Sequence, residues 1–479
     1  MTEAFPQAVP VSILDRRDPG FDADAVRDLE QLAGREKFDA SRFLRRNNSE
    51  TVTLYTERCA RAFNVPRLGH LVETLAAGVF HREPRVKLEG VDEGGQTWRT
   101  LLGTADGGSA DLNVVLRSSL ERALLHEESW VWVDFPRRPD GAGDTMSVAE
   151  AEAIGLHRPT LTVLEPGALR AHAVDEKGRL LWAIIGQEET HRPSPLSAAV
   201  EIVRRWCVLR ATTWAIYEHR RRSDVTASDA GEARLTASGT YRFGRVPLTR
   251  LVLPPRLVLG CQLLSLSKAI LSLDNAVFWQ QHTSLYAMPV VKSKKDFKQT
   301  VGAAYFVHLE PGDEFTYAEP AGSAMAASMT HRAELREEFY RVGHGTALGF
   351  GSSAVVAGRS GESKRQDWRS TDHALSHLGA LVRDLALDII QLVAAGRGQK
   401  VGATVTGLDS FDLDATAQRI EEHASADSMI RSRRWRTERG RSLVRRLMPE
   451  LGEKVLAEID KELEDDVDDF EPPKFGGSE

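Results

Sequence analysis

Between Leu259 and Phe278 one stretch of chain places apolar residues on two sides of a single helix, and few environments satisfy such a segment. Leu259, Leu263, Leu266, Ile270, Leu273 and Val277 recur at three- and four-residue steps. Leu264, Leu271 and Phe278 repeat every seven residues, about 120° round the helix from the first row. Two apolar rows require contacts on two sides. A buried position inside one domain meets that requirement, and so does a place in a ring of identical neighbours.

The segments around this helix are of mixed type. Leu68, Val72, Leu75, Ala76 and Val79 predict a helix that ends near Phe80, before Pro84. Leu112, Val115, Leu116, Leu120, Leu124 and Leu125 predict another, leading straight into Trp130–Pro136, which reads as a buried strand. From Leu161 to Leu253 the period shortens to two, in runs such as LLWAII and VEIVRRWCVL, and predicts a mainly β region. After Met288-Pro289 a short α/β piece carries Lys292, Lys294, Lys295 and Lys298, which suit either a solvated loop or phosphate contact.

A further helix is expected from Gly322-Ser323, with Ser323 as its cap. It carries Met325, Met329, Ala333, Leu335, Phe339 and Val342 toward a packed face, and places Glu334, Arg336, Glu337, Glu338 and Arg341 mainly on the wet side. It fails at Gly343, Gly345, Gly349 and Gly351, which lie too close together for a helix interior. Leu375, Leu378, Leu381, Val382, Leu385, Ile389 and Leu392 then define the strongest amphipathic helix, expected to end at Gly396. Eight arginines lie between Arg431 and Arg446, and nine acidic residues between Glu458 and Glu471, so the two segments are able to pair within a chain or between copies.

Composition narrows the function classes. A chain of 479 residues with 42% hydrophobic content can bury more than one core. Its formal charge of -7 argues against tight wrapping of nucleic acid through phosphates. Cys59, Cys207 and Cys261 lack metal-ligand spacing and read as small buried hydrophobes in a reducing compartment. The N-terminus does not read as a signal peptide, and no apolar run is long enough for a membrane span.

Groups able to perform chemistry are sparse. The string Gly358-Arg-Ser-Gly-Glu-Ser-Lys364 looks like a phosphate loop, but Arg365 follows the lysine where Ser or Thr is required. His373 and His377 are one helical turn apart, yet Ala374 stands where a metalloprotease needs glutamate. His331 and His344 complete that set without metal-ligand spacing. Asp134 ends a strand, where catalytic carboxylates often lie, but no His or second carboxylate is marked to work with it, and turn capping is the more economical role. Arg433, Arg434 and Arg436 around Trp435 resemble a nucleic-acid stacking patch, with the acidic tail competing for it. No catalytic, cofactor or metal site is expected.

Four segments in this order resemble the portal proteins of tailed bacteriophages and related prophages: residues 63–84 (FNVPRLGHLVETLAAGVFHREP), 119–139 (SLERALLHEESWVWVDFPRRP), 319–343 (EPAGSAMAASMTHRAELREEFYRVG) and 360–368 (SGESKRQDW). The resemblance covers roughly residues 50–400. It implies an α+β portal fold with a mixed α/β wing, a helical stem, a small α/β clip and a helical crown. Mapped onto this chain, it implies an N-terminal arm at 1–44, a wing at 45–255, a stem helix at 256–284 and a clip at 285–320. A second stem helix and channel loop would occupy 321–364, a long wing helix 365–404, and the crown with its acidic tail 405–479.

The same resemblance implies a non-enzymatic ring, usually of 12 copies, at one capsid vertex of the virion, assembled in the bacterial host cytoplasm. Its partners would be double-stranded DNA in transit, the major capsid protein, the terminase motor and a head-tail adaptor, with no membrane. Leu259, Leu263, Leu264, Leu266, Ile270, Leu271, Leu273, Val277 and Phe278 would then close the ring. Ser265, Ser267, Lys268, Ser272, Asp274 and Asn275 would divide between channel and exterior. Lys292, Lys294, Lys295, Lys298, Gly343, Gly345, Gly349 and Gly351 would be channel- or DNA-facing. A non-catalytic adaptor of lower copy number is the other reading.

Overall fold

The computed structural model describes residues 5–91, 95–136, 155, 156, 158–192, 200–222, 231–284, 288–292, 314–318, 322–343, 361–408, 411, 437–441, 444 and 453–465. Its helices are α1 (Val11–Leu14), α2 (Ala23–Leu32), α3 (Ala40–Phe43), α4 (Val52–Arg61), α5 (Arg67–Val79), α6 (Gln96–Gly103), α7 (Leu112–His126), α8 (Leu259–Ser284), α9 (Gly322–Val342), α10 (Gly361–Arg397) and α11 (Glu453–Asp465). The strands are β1 (Ala8–Pro10), β2 (Arg85–Glu89), β3 (Glu128–Asp134), β4 (Thr160–Val163), β5 (Leu169–Val174), β6 (Leu180–His191), β7 (Glu201–Arg210), β8 (Thr213–Arg222), β9 (Glu232–Thr240), β10 (Leu248–Val252), β11 (Met288–Lys292), β12 (Glu314–Ala318) and β13 (Gly402–Thr406). The fold is α+β, with antiparallel sheets and helices drawn from separate stretches of chain.

The β region forms an antiparallel sheet in the order β1-β9-β8-β7-β6-β5. Alternation along β7 shows how it is covered. Trp206 points to one face, where it packs with Val11, Leu14, Tyr217 and Ala233. Cys207 and Leu209 point to the other, against Trp130, Leu164, Val246 and Leu248. The first face is covered by the N-terminal segment, so part of the stretch that the resemblance makes an N-terminal arm is built into the sheet: Val11 and Leu14 are buried, and Ala8–Pro10 pair with Glu232–Arg234.

The main core lies beside this sheet. α7 enters it with Asp111 capping Val114 N at 2.8 Å, and its Leu116, Leu120 and Leu125 are fully enclosed. α5 contributes Leu71, Val72 and Val79. α10 packs on α5, α7, β10 and β13 through Leu378, Val382, Leu385, Ile389 and Leu392. Each such side chain adds about 1.5–3 kcal/mol by leaving water.

α10 differs from its sequence reading at both ends. It begins at Gly361 and runs through Gly396 to Arg397, where Gly398 takes φ +67° and ends it. Gly396 serves close packing instead, because a Cβ there would lie 2.6 Å from the Phe135 ring and 2.7 Å from that of Phe243. Beyond α10, β13 pairs with β2, and Leu408 and Phe411 are buried in the main core, so the first compact unit extends to Phe411. The second unit is Asp412–Glu479, in which Arg441 meets Glu438 at 2.8 Å and Asp460 at 3.4 Å. The basic and acidic segments therefore touch within one chain.

Candidate functional site

The described part of the Leu259–Gly343 excursion consists of two pairs, α8 with α9 and β11 with β12. It starts after Pro254-Pro255, where a 3-10 turn at Pro255–Leu257 leads into α8. At the root, Gly260 lies against the backbone of α7; a Cβ on it would sit 1.8 Å from the Leu125 carbonyl oxygen. Gly343, at the returning end, is held as closely, since its Cβ would meet Leu71 at 2.3 Å.

Side-chain partners fix the direction of the two helices. Leu263 lies near Gly343, Phe339 shares a cleft with Ser267, Ile270 and Leu271, and Asp274 meets Arg332 and Arg336. α8 and α9 are therefore antiparallel. β11 and β12 pair antiparallel, from Met288 opposite Ala318 to Lys292 opposite Glu314, with Lys292 Nζ 2.9 Å from the Glu314 carboxylate. The 26 residues of α8 span about 39 Å.

Burial changes along this excursion. Leu259, Leu263, Ile270, Leu271 and Val277 are buried, Leu264, Leu266 and Leu273 half-buried, and Phe278 is 41% exposed. The first seam is thus largely occupied by the chain's own α5, α7 and α9. On α9 Phe339 is buried, Leu335 and Val342 are half-buried, and Met329 is 47% exposed with Ala333 open to solvent. The expected packed face of α9 is most enclosed in its C-terminal half, at Phe339, while Met325 in the N-terminal half is half-buried.

A polar joint clamps the two helices. Asp274, only 3% exposed, accepts from Arg67 at 2.8 Å, from Arg336 at 3.3 Å and, at closer range, from Arg332. Next to it Asn275, 4% exposed, accepts from Phe63 N at 3.0 Å and donates to Phe63 O at 3.0 Å and Leu271 O at 2.9 Å. That clamp sets the Phe63 ring edge-on to Phe278, with centroids 5.4 Å apart. Asn275→Ala is expected to lose about 1–3 kcal/mol, by leaving the Phe63 amide and carbonyl without partners. Urea unfolding followed by tryptophan fluorescence measures it, with exposed Ser272→Ala as a comparison that changes by less than about 0.5 kcal/mol.

These positions correct the sequence reading. Asp274 and Asn275 do not divide between a channel and the exterior: both face the interior, as their placement four residues after Ile270 and Leu271 would indicate. Arg336, assigned to the wet side, turns instead onto Asp274. Cys207 alone among the cysteines is buried; Cys59 is half-buried and Cys261 exposed. Ser323 falls inside α9, which already begins at Gly322. Of the channel candidates, Lys292 is exposed at the end of β11 and Gly343 buried at the end of α9. Lys294, Lys295, Lys298, Gly345, Gly349 and Gly351 lie outside the described residues, as do His344, residues 358–360 of the phosphate-loop-like string, and Arg433, Arg434, Trp435 and Arg436, whereas Gly361–Lys364 of that string form the start of α10 and not a loop.

Elsewhere the side chains assemble little reactive chemistry. His373 and His377 share the exposed side of α10, and no group of three metal-ligating side chains occurs among the described residues. No described helix is long and apolar enough to cross a membrane. A cavity of about 430 Å³ on the large sheet is lined by Trp132, Ile185, Cys207, Ile216, Arg205 and Glu218, among others. Burial pushes the Glu218 carboxyl up, but Arg205 at 2.9 Å and Arg220 at 3.2 Å outweigh it and hold the group below its usual value. It is an ion-paired carboxylate and a poor proton acceptor.

No protein-family model matches the chain, and no curated protein matches it. Among solved structures it is similar to a chain in "Neck of empty GTA particle computed with C6 symmetry", with a TM-score of 0.40 and 13% identity, over 77% of this chain and 88% of that one.

Proposed function

We propose that this protein is a structural, non-catalytic subunit of a phage-type portal ring, in which the excursion from Leu259 to Gly343 forms the stem and its β11–β12 tip the clip. One observation carries the reading: the paired helices α8 and α9 leave large parts of Phe278 and Met329 exposed near the Asp274 joint. A helix pair of that length gains nothing for a lone soluble chain by leaving large apolar side chains in water. Neighbouring arms packed side by side would cover them. The four sequence segments that resemble portal proteins support the same reading independently.

In this reading the wing is the body of the first unit, and double-stranded DNA passes through the ring. Terminase and a head-tail adaptor dock at the clip, and the major capsid protein surrounds the wing at one vertex of the virion. The duplex must be confined without being held, since every strong phosphate contact would have to break at each step. A chain of charge -7 suits that task, because copies arranged round a pore repel a polyanion overall while a few lysines remain.

Mass photometry of the purified chain tests the proposal. A ring of about twelve chains of 53.0 kDa is expected, without ATP hydrolysis. A species of one or two chains under assembly conditions would favour the lower-copy adaptor, a reading to which the burial of Leu259, Leu263 and Ile270 within their own chain lends some weight.

A further inference from the structure

The joint around Asp274 is unbalanced in charge. Three guanidinium groups, those of Arg67, Arg332 and Arg336, converge on one carboxylate. A carboxylate has about four acceptor positions, whereas each guanidinium carries five N–H donors. Arg336 Nε is enclosed and has no acceptor. Burial, followed by the repulsion of Arg67, depresses the Arg336 pKa from its ordinary value, and Asp274, with a smaller contribution from Tyr340, only partly counters this. Arg332 and Arg336 nevertheless keep 27% and 34% of their side chains open to solvent, so a further anion has access.

We propose that the joint is completed by Glu334 from α9 of a second copy of this chain. The inference rests on the ring reading and names the contact that would close the ring at the stem. Two residues along a helix correspond to a rotation of about 200°, so Glu334 lies on the opposite side of α9 from both Arg332 and Arg336. It also lies midway between them in height. A cyclic ring relates neighbours by rotation without translation, so a helix running along the ring axis must present its two complementary surfaces on opposite sides and at one level. Arg332 and Arg336 with Glu334 meet both conditions.

The other acids of α9, Glu337 and Glu338, already have partners. Glu338 is bound by Arg341 at 2.6 and 2.8 Å on its own helix. Glu334, in contrast, is 69% exposed, and among the described residues its ionic neighbour is His331 at 3.6 Å, beyond a normal hydrogen bond. Exposed Met329, three residues before Arg332 and so on its side of α9, would be covered by the same approach.

The test uses the full chain in three forms: Glu334→Arg, Arg336→Glu, and both together. Mass photometry across a dilution series reads assembly, and circular dichroism melting reads folding. Glu334→Arg is expected to melt as the wild type does and to need about tenfold or more protein to assemble, and the combined variant to recover most of that loss. Wild-type assembly should also weaken with added salt. If the wild type forms rings and Glu334→Arg assembles within about twofold of it, the pairing is overturned while the ring stands. Unaltered assembly of Glu334→Arg with a changed affinity for duplex DNA would assign the cluster to phosphate and equally overturn it. A wild type that remains a single 53.0 kDa chain overturns the ring reading itself.

Discussion

Asp274→Ala is expected to destabilise the chain by about 3–5 kcal/mol, the largest loss from any single polar side chain here, because it leaves Arg67, Arg332 and Arg336 facing one another with no anion between them. The comparison that gives the number meaning is Arg67→Ala. That substitution leaves Asp274 with two arginines, so the buried carboxylate stays paired and the loss should be clearly smaller. Urea denaturation at fixed protein concentration, followed by tryptophan fluorescence, provides both values. Equal losses would show that the three arginines do not share one anion, and the account of the joint would fail.

Gly260→Val is expected to be at least as damaging, by about 3 kcal/mol or more, through a different mechanism. The new Cβ would fall 1.8 Å from the Leu125 carbonyl oxygen, and that atom belongs to the backbone of α7, which cannot swing aside as a flexible side chain can. Relief requires α8 to move away from α7, displacing Leu259 and Leu263 from the core. Gly103→Ala supplies the contrast: it also lies in a helix, nothing lies within 4 Å of its Cβ position, and it should be neutral or stabilising by up to about 1 kcal/mol. A folded Gly260→Val chain with unchanged melting would show that the root of the excursion tolerates separation.

Much of this architecture is legible in the sequence, and the reasons differ by element. Leu112–Leu125, Leu375–Leu392 and Leu259–Val277 announce helices because their apolar spacing matches one face over several turns. The β runs from Leu161 to Leu253 are equally plain through their short period. Helix ends are harder to read. Gly396 looks like a stop, and only the proximity of Phe135 and Phe243 reveals that it is a packing residue. The covering of Trp206 by Val11 and Leu14 joins residues nearly two hundred positions apart, and nothing local in the first fifteen residues signals it.

The polar joint was hidden for a related reason. Asp274 and Asn275 are polar letters on an apolar face, and sequence alone does not show that Arg67, Arg332 and Phe63 arrive from other elements to satisfy them. Periodicity nevertheless holds the clue, since Asp274 continues the row of Ile270 and therefore had to be enclosed. The chemistry of a buried charge then demands cations nearby.

Both margins of the large sheet are blunted. On one side the final strand is three residues long and finishes in Pro10, whose nitrogen has no hydrogen to donate. On the other, β5 breaks register between Leu169 and Ala171 and again between Ala173 and Val174, which disrupts the row of groups a foreign strand would need. Copies of the chain at high local concentration are thereby hindered from zipping together through this sheet.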